Sequence, residues 1–205
     1  MSGLLVVLLS MLACPAQAQA PAAAGGKPLD LENTLYLDLK DGRVVIQMFP
    51  DVAPKHVARI KELVRRGFYD GLTFHRVIDG FMAQTGDPNG TGTGGSGQRI
   101  PAEFSGKAFI RGAVGMARSA SPDSADSQWF ICFQPAFFLD GQYTLWGQVV
   151  SGMEFVDHIT RGEPPANPDK IVRLRVAADV KNDVPAPGPT PALAPTPAPA
   201  PSPIK

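Results

Sequence analysis

The chain has 205 residues, carries 19 basic and 19 acidic side chains with no net charge, and is 44% apolar. That length suits one domain, or one domain with appendages, and the charge balance leaves no electrostatic footprint for nucleic acid or an anionic membrane surface. Its 21 prolines are twice the usual ~5%, and they are not spread evenly.

At the N-terminus, Leu4 to Ala13 form an apolar run well short of the ~20 residues a membrane-spanning helix needs. Ala16-Gln17-Ala18 follows as a small-x-small cleavage pattern, so residues 1–18 read as a secretory signal peptide, with a buried strand or helix as the plainer alternative. Export, to the periplasm of a bacterial source, and no integral membrane span are therefore expected. Cys14 after the apolar run also fits a lipid-anchored N-terminus, although Met11 and Leu12 are not the small residues such signals carry. Cleavage after Ala18 leaves Cys132 as the only thiol, so no intrachain disulfide can form. A lone buried cysteine serves as a small apolar residue, and a packed core must carry the fold. Residues 19–31 are Ala/Gly/Pro-rich and read as a flexible segment.

The folding domain is expected over residues 32–180. Thr34 to Leu39 and Val44 to Phe49 are short β-rich runs joined by Lys40-Asp41-Gly42-Arg43, a hairpin signal. Pro54 opens a helical pattern in which Val57, Ile60 and Val64 share a face, and Gly67 after Arg65 and Arg66 marks its stop. His56 falls on the polar face of that helix and is expected in solvent. Further strands are expected at Thr73 to Ile78, Phe81 to Thr85, Ala113 to Ala117, Gln128 to Phe133, Leu145 to Val150 and Ile171 to Ala178, with a short helix across Met153 to Arg161. Many short strands with only two helices indicate a mainly β fold, an antiparallel sandwich or barrel, between which periodicity does not choose. Nine prolines fall between Val184 and Lys205. Residues 181–205 thus read as a disordered, polyproline-II-like tail, either a spacer or a ligand for a proline-recognition module.

The densest chemistry lies in residues 74–87, FHRVIDGFMAQTGD. Arg76 stands among Phe74, Phe81, Met82 and Gln84, with His75 as the one titratable base and no nucleophile. Such a set can hold an apolar group and donate hydrogen bonds to a carbonyl, and it is poorly equipped to break a covalent bond. Gly92 to Gly97 contain a formal G-x-G-x-x-G, but no βαβ unit follows and Pro101 argues against a helix, so dinucleotide binding is discounted. His56, His75 and His158 lack ligand spacing, so no metal is expected. A hydrolase using His75 with Ser119 or Ser121 would lack a nucleophile elbow. A non-catalytic binding or chaperone module stays open.

Three blocks, FHRVIDGFMAQTGD at 74–87, GAVGMARSASPDSADSQWFICF at 112–133 and FLDGQYTLWGQVVSGMEFVD at 138–157, resemble the cyclophilins, peptidyl-prolyl cis/trans isomerases, in order, spacing and content. The resemblance spans residues 32–180, and Met116-Ala117-Arg118 is similar to the bacterial branch. It implies an eight-stranded antiparallel closed β-barrel capped by two α-helices, with the substrate groove on the outer barrel face. It also implies a monomer without cofactor that acts on proline-containing unfolded or extended polypeptides. By this resemblance Arg76 is the central catalytic residue and Gln84 its positioning partner. Phe81, Met82, Phe130 and Leu139 form the proline pocket, and Ala117 and Gln128 line the groove beside it. Three positions depart from the pattern. Phe138 stands where many members have tryptophan, losing an indole N–H and implying weakened cyclosporin binding. Arg118 stands for asparagine, a longer cation at the groove. Tyr143 replaces a histidine on the rim and keeps an aromatic wall.

The implied chemistry suits those residue types. Rotation about an X–Pro bond breaks amide resonance against a barrier of about 18–20 kcal/mol, but no covalent bond is made or lost. A cleft that grips the ring, and a cation that interacts better with the twisted than with the planar amide, suffice. The twisted nitrogen regains a lone pair, to which a permanently charged, multidentate arginine can donate.

Overall fold

The structure, a computed structural model, describes residues 29–180. Strand alternation builds it. Along β6 (Trp129–Cys132) Trp129 and Ile131 enter the main core, whereas Phe130 and Cys132 face the other way into a second apolar cluster. The same period of two sends Ala83 inward and Met82 outward on β4 (Met82–Thr85). Around these run β1 (Thr34–Leu39), β2 (Gly42–Met48), β3 (Arg76–Ile78), β5 (Ala113–Met116), β7 (Leu145–Ser151) and β8 (Arg173–Val176), in one antiparallel sheet ordered β3-β4-β6-β5-β7-β2-β1-β8. Two helices, α1 (Pro54–Arg65) and α2 (Met153–Asp157), complete it. The core centres on aromatic edges: Trp129 lies T-shaped against Trp146 at 5.9 Å and against Tyr69 at 6.1 Å.

Every strand and helix expected from the sequence is present, but several are shorter. The run from Thr73 is paired as a strand only over β3, and the second helix stops at Asp157 rather than Arg161. Its continuation is diverted because Thr160 donates its amide to Asp169 at 2.7 Å and Gly162 pairs with Val77. The expected signal peptide, most of the 19–31 segment and the Pro-rich tail lie outside the described residues.

The closed barrel is corrected: the eight strands form an open, strongly curled sheet. Its edge strands β3 and β8 share no ladder. The seam is stitched instead by isolated pairs, Thr73 with Lys170 and Val77 with Gly162, and by Gly71, Phe74 and Ile171 amides. The returning chain carries Pro164, Pro165 and Pro168, which have no N–H to give a continuous ladder.

His56 is also corrected. It is fully buried, not solvated, because Glu103 reaches across from a distant loop. Ala53 offers no side-chain cap to α1. The Glu103 carboxylate does so instead, accepting the Lys55 and His56 amides at 3.0 Å each and the His56 Nδ1–H at 2.7 Å. One carboxylate therefore serves two orphan amides, the positive helix end and a buried imidazole.

Glu103→Ala should destabilise the fold by about 2–4 kcal/mol in urea unfolding, from a lost cap and a stranded buried donor. Burial holds the His56 ring below its ordinary value of 6.5, although Glu103 pulls it up. Glu103 itself is raised by burial but lowered further by His56 and the helix amides. The unfolded chain therefore binds more protons than the folded one in acid. Stability should fall as pH drops from about 6.5 towards and through these depressed folded values, which unfolding titrations at stepped pH would show.

Candidate active site

The outer cluster under β4, β5 and β6 supplies the site. Met82, Phe109, Phe130, Leu139 and Leu145 pack there, with Phe81, Ala117 and Tyr143 partly buried against them. Phe130 stacks on Phe109 at 6.0 Å and meets Tyr143 edge-on at 6.1 Å. Gly115 makes this stacking possible, since a Cβ there would lie 2.6 Å from both the Phe109 and the Phe130 ring. Leu139 comes from the 3-10 turn Phe137–Leu139, which also exposes Phe138, and the Phe138 ring lies 5.3 Å from that of Phe81.

The β3–β4 hairpin sets Arg76 opposite Gln84, and the β4–β6 pairing sets Gln84 opposite Phe130. Arg76 donates from Nη1 to Gln84 Oε1 at 3.4 Å and from Nε to Glu163 Oε2 at 2.8 Å. Gln84 passes its amide N–H to Gln128 at 2.8 Å, and Gln128 donates to the Gly92 and Gly94 carbonyls at 3.0 and 2.7 Å. A polar line thus crosses one side of the apolar floor.

Together these residues enclose a cleft of about 460 Å³, lined by Arg76, Phe81, Met82, Gln84, Ala117, Arg118, Phe130, Phe138, Leu139 and Tyr143, with Gly92 and Gln142. Gln128 belongs to the adjoining, more polar cavity of about 440 Å³, which shares Gln84, Ala117 and Arg118 and adds Arg99 and Asp126. The structure therefore brings all the sequence-selected residues to one face. Arg118 behaves differently from a free cation. Its guanidinium covers the Tyr143 ring at 4.4 Å and donates to the Gln142, Ser119 and Ala120 carbonyls, so it braces the rim.

Acid-base and nucleophilic chemistry finds no footing here. His75 is buried, burial lowers its pKa most strongly, and it hydrogen bonds neither Ser119 nor Ser121. The Cys132 thiol, buried beneath the floor, is pushed up to about 12 and is inert as a nucleophile. The Gly-rich loop is no phosphate cradle. Asp87 takes the Asn89, Thr91, Gly92 and Gly94 amides at 2.6–3.1 Å, and Asp126 takes those of Ser96 and Gly97. Burial raises the Asp87 pKa, yet these amides bring it below the ordinary carboxylate value. Among the described residues no group of three or more His, Cys, Asp or Glu could hold a metal, and no helix is long and apolar enough to cross a membrane.

Sequence reasoning missed Asp87 as the loop's organiser and Glu163 as the ion-pair partner of Arg76. The Gly-Asp-Pro-Asn context of Asp87 is an Asx-turn signal that could have found it; Glu163 gave no such signal.

The sequence model of one family, cyclophilin type peptidyl-prolyl cis-trans isomerase/CLD, matches residues 34–176. A protein of Brucella suis named a "Probable peptidyl-prolyl cis-trans isomerase" is 53% identical over 169 residues, covering 74% of this chain and 86% of its own. Peptidyl-prolyl cis-trans isomerase B of Bacillus subtilis is 44% identical over 134 residues, 64% of this chain and 93% of its own. Among solved structures, a cyclophilin from Hirschia baltica matches with TM-score 0.69 and 28% identity, covering 75% of this chain and 77% of that one. A Cryptosporidium parvum cyclophilin type isomerase, solved in the presence of the dipeptide Ala-Pro, matches with TM-score 0.65 and 25% identity, covering 70% and 98%.

Gly115→Ala should wedge the Phe109 and Phe130 rings apart and cost about 1–3 kcal/mol in unfolding free energy. Wild-type stability in that variant would mean the rings yield freely and the cleft floor is not rigid.

Proposed function

The chain belongs to the cyclophilin-type peptidyl-prolyl cis-trans isomerases and is an enzyme of that class, and we propose that it turns X–Pro bonds by gripping the proline ring on its outer apolar floor while Arg76 donates to the twisted amide. The observation that carries this reading is the cleft itself. A cation sits at the rim of a pocket whose floor is Phe130, Met82, Leu139 and Phe81, without a nucleophile or accessible base. Phe130 and Leu139 are almost wholly buried while the Arg76 side chain is half-open, so a ring can seat against packed carbon and the amide beside it can meet the guanidinium. Gln84 supports Arg76, Ala117 and Gln128 line the adjoining groove, and Arg118, Phe138 and Tyr143 form the rim.

Phe138 offers ring surface but no N–H to a ligand carbonyl, which supports weak cyclosporin binding. The substrates on this reading are unfolded or extended proline-containing chains, met by a monomer outside the cytoplasm. The apolar run Leu4 to Ala13 with Ala16-Gln17-Ala18 supports export and cleavage after Ala18, and residues 181–205 would form a Pro-rich appendage to the 32–180 domain. Uncatalysed proline isomerisation takes tens to hundreds of seconds, long enough to limit the folding of exported proteins.

Isomerisation of an Ala-Pro peptide should be fast with wild type and fall about 10²-fold in Arg76→Ala, the scale for losing one donor aimed at the transition state. The peptide should stay intact by mass spectrometry. Equal rates in the two proteins would remove Arg76 from the mechanism.

A further inference from the structure

Glu163 lies outside the three sequence blocks, yet it makes the tightest contact to the central cation. Its carboxylate accepts from Arg76 Nε at 2.8 Å, whereas the Gln84 contact is stretched to 3.4 Å. A short charge-assisted bond outweighs a long neutral acceptor. The backbone sets up this pairing. Val77, next to Arg76, and Gly162, next to Glu163, exchange two hydrogen bonds of 2.8 Å. Gly162 has φ +148, and a Cβ there would come within 2.5 Å of Pro165 Cα, so the turn that presents Glu163 requires glycine. On the far side Arg161 is tied to Asp79 at 3.1 Å and lies over the Phe133 ring at 4.0 Å. The segment carrying Glu163 is therefore fixed against β3.

We propose that Glu163 is a positioning residue that orients Arg76 for catalysis, an inference that rests on Arg76 being the donor to the twisted amide. A guanidinium is planar with five N–H donors in a rigid fork, so a carboxylate on Nε sets the plane in which both Nη groups lie. One donor goes to Glu163 and one to Gln84, and the remaining three of five serve the substrate. Without Glu163 the long side chain rotates about its Cδ–Nε axis with only a stretched amide contact to hold it. The pair is 43% and 51% exposed, so its effect is one of orientation and is modest in size.

The test is a double-mutant cycle on a neutral Ala-Pro peptide. Glu163→Ala should lower kcat/KM about two- to fivefold, the range available to an exposed ion pair, chiefly through kcat. Glu163→Gln, which keeps an oxygen for Nε, should recover part of the loss. In an Arg76→Ala background, removing Glu163 should cost nothing more, because it acts through the arginine. Raising ionic strength from ~0.01 to ~1 M, which shortens the screening length from ~30 to ~3 Å, should bring wild type down towards Glu163→Ala and leave that variant unchanged. Wild-type or faster turnover in Glu163→Ala would overturn the proposal. So would an equal loss in the Arg76→Ala background, which is the mark of damaged seam packing. If Arg76→Ala itself keeps full activity, the donor role fails first, a result separate from any seen at Glu163.

Discussion

The two-faced burial of β6 is the constraint on which the molecule depends. Trp129 and Ile131 fill the inside of the curled sheet while Phe130 and Cys132 anchor a second cluster outside it. Two tryptophans and Tyr69 pack edge-on in the interior, and the cleft is built on the outer cluster. A one-residue slip of this strand would exchange the two sets, turning Trp129 onto the outer cluster and Phe130 into the inner core. Fold and site thus share one register: what specifies the core also floors the cleft.

A second consequence is that the polar part of the site is organised from outside the curled sheet. The line from Arg76 through Gln84 and Gln128 ends on carbonyls of the Gly-rich loop, and that loop is held by the buried Asp87 and by Asp126. Each carboxylate is satisfied by backbone amides, so the loop presents carbonyls to Gln128 instead of amides to an anion. The donors over the cleft are fixed before any substrate arrives, the condition under which hydrogen bonds assist a transition state most.

Which features could be read from the sequence follows from their range. β1, β2 and β4 to β7 announce themselves by alternation and by turn residues, and α1 by its Val57, Ile60 and Val64 stripe with Pro54 and Gly67 at its ends. Arg76, Gln84 and the floor residues were accessible because they sit in contiguous blocks. His56 was misplaced because a helical pattern sees only local neighbours, and its partner Glu103 is 47 residues away. Arg118 read only as a longer cation at the groove, because its carbonyl partners leave no mark in sequence. The closed barrel was implied by the resemblance alone, and the proline-interrupted pairing that leaves the β3–β8 seam without a ladder is not visible in the strand pattern. Glu163 was hidden for the same reason, because its position follows from the Val77–Gly162 pairing across that seam.

The division of the cleft into an apolar floor and a cationic rim bears on where selectivity for the twisted state arises. Under the proposed mechanism a proline ring pressed on Phe130 and Leu139 would gain the same contact whether the amide is cis, trans or halfway between. That contact is uniform binding, which sets how tightly a chain is held but does not speed the rotation. Only a group that senses the amide nitrogen can discriminate, since its lone pair becomes available when the bond twists. Under the proposed mechanism that group is Arg76, whose side chain is half-open to the cleft. On that reading the exposed ion pair with Glu163 and the long reach to Gln84 would orient the fork while leaving it open to the cleft.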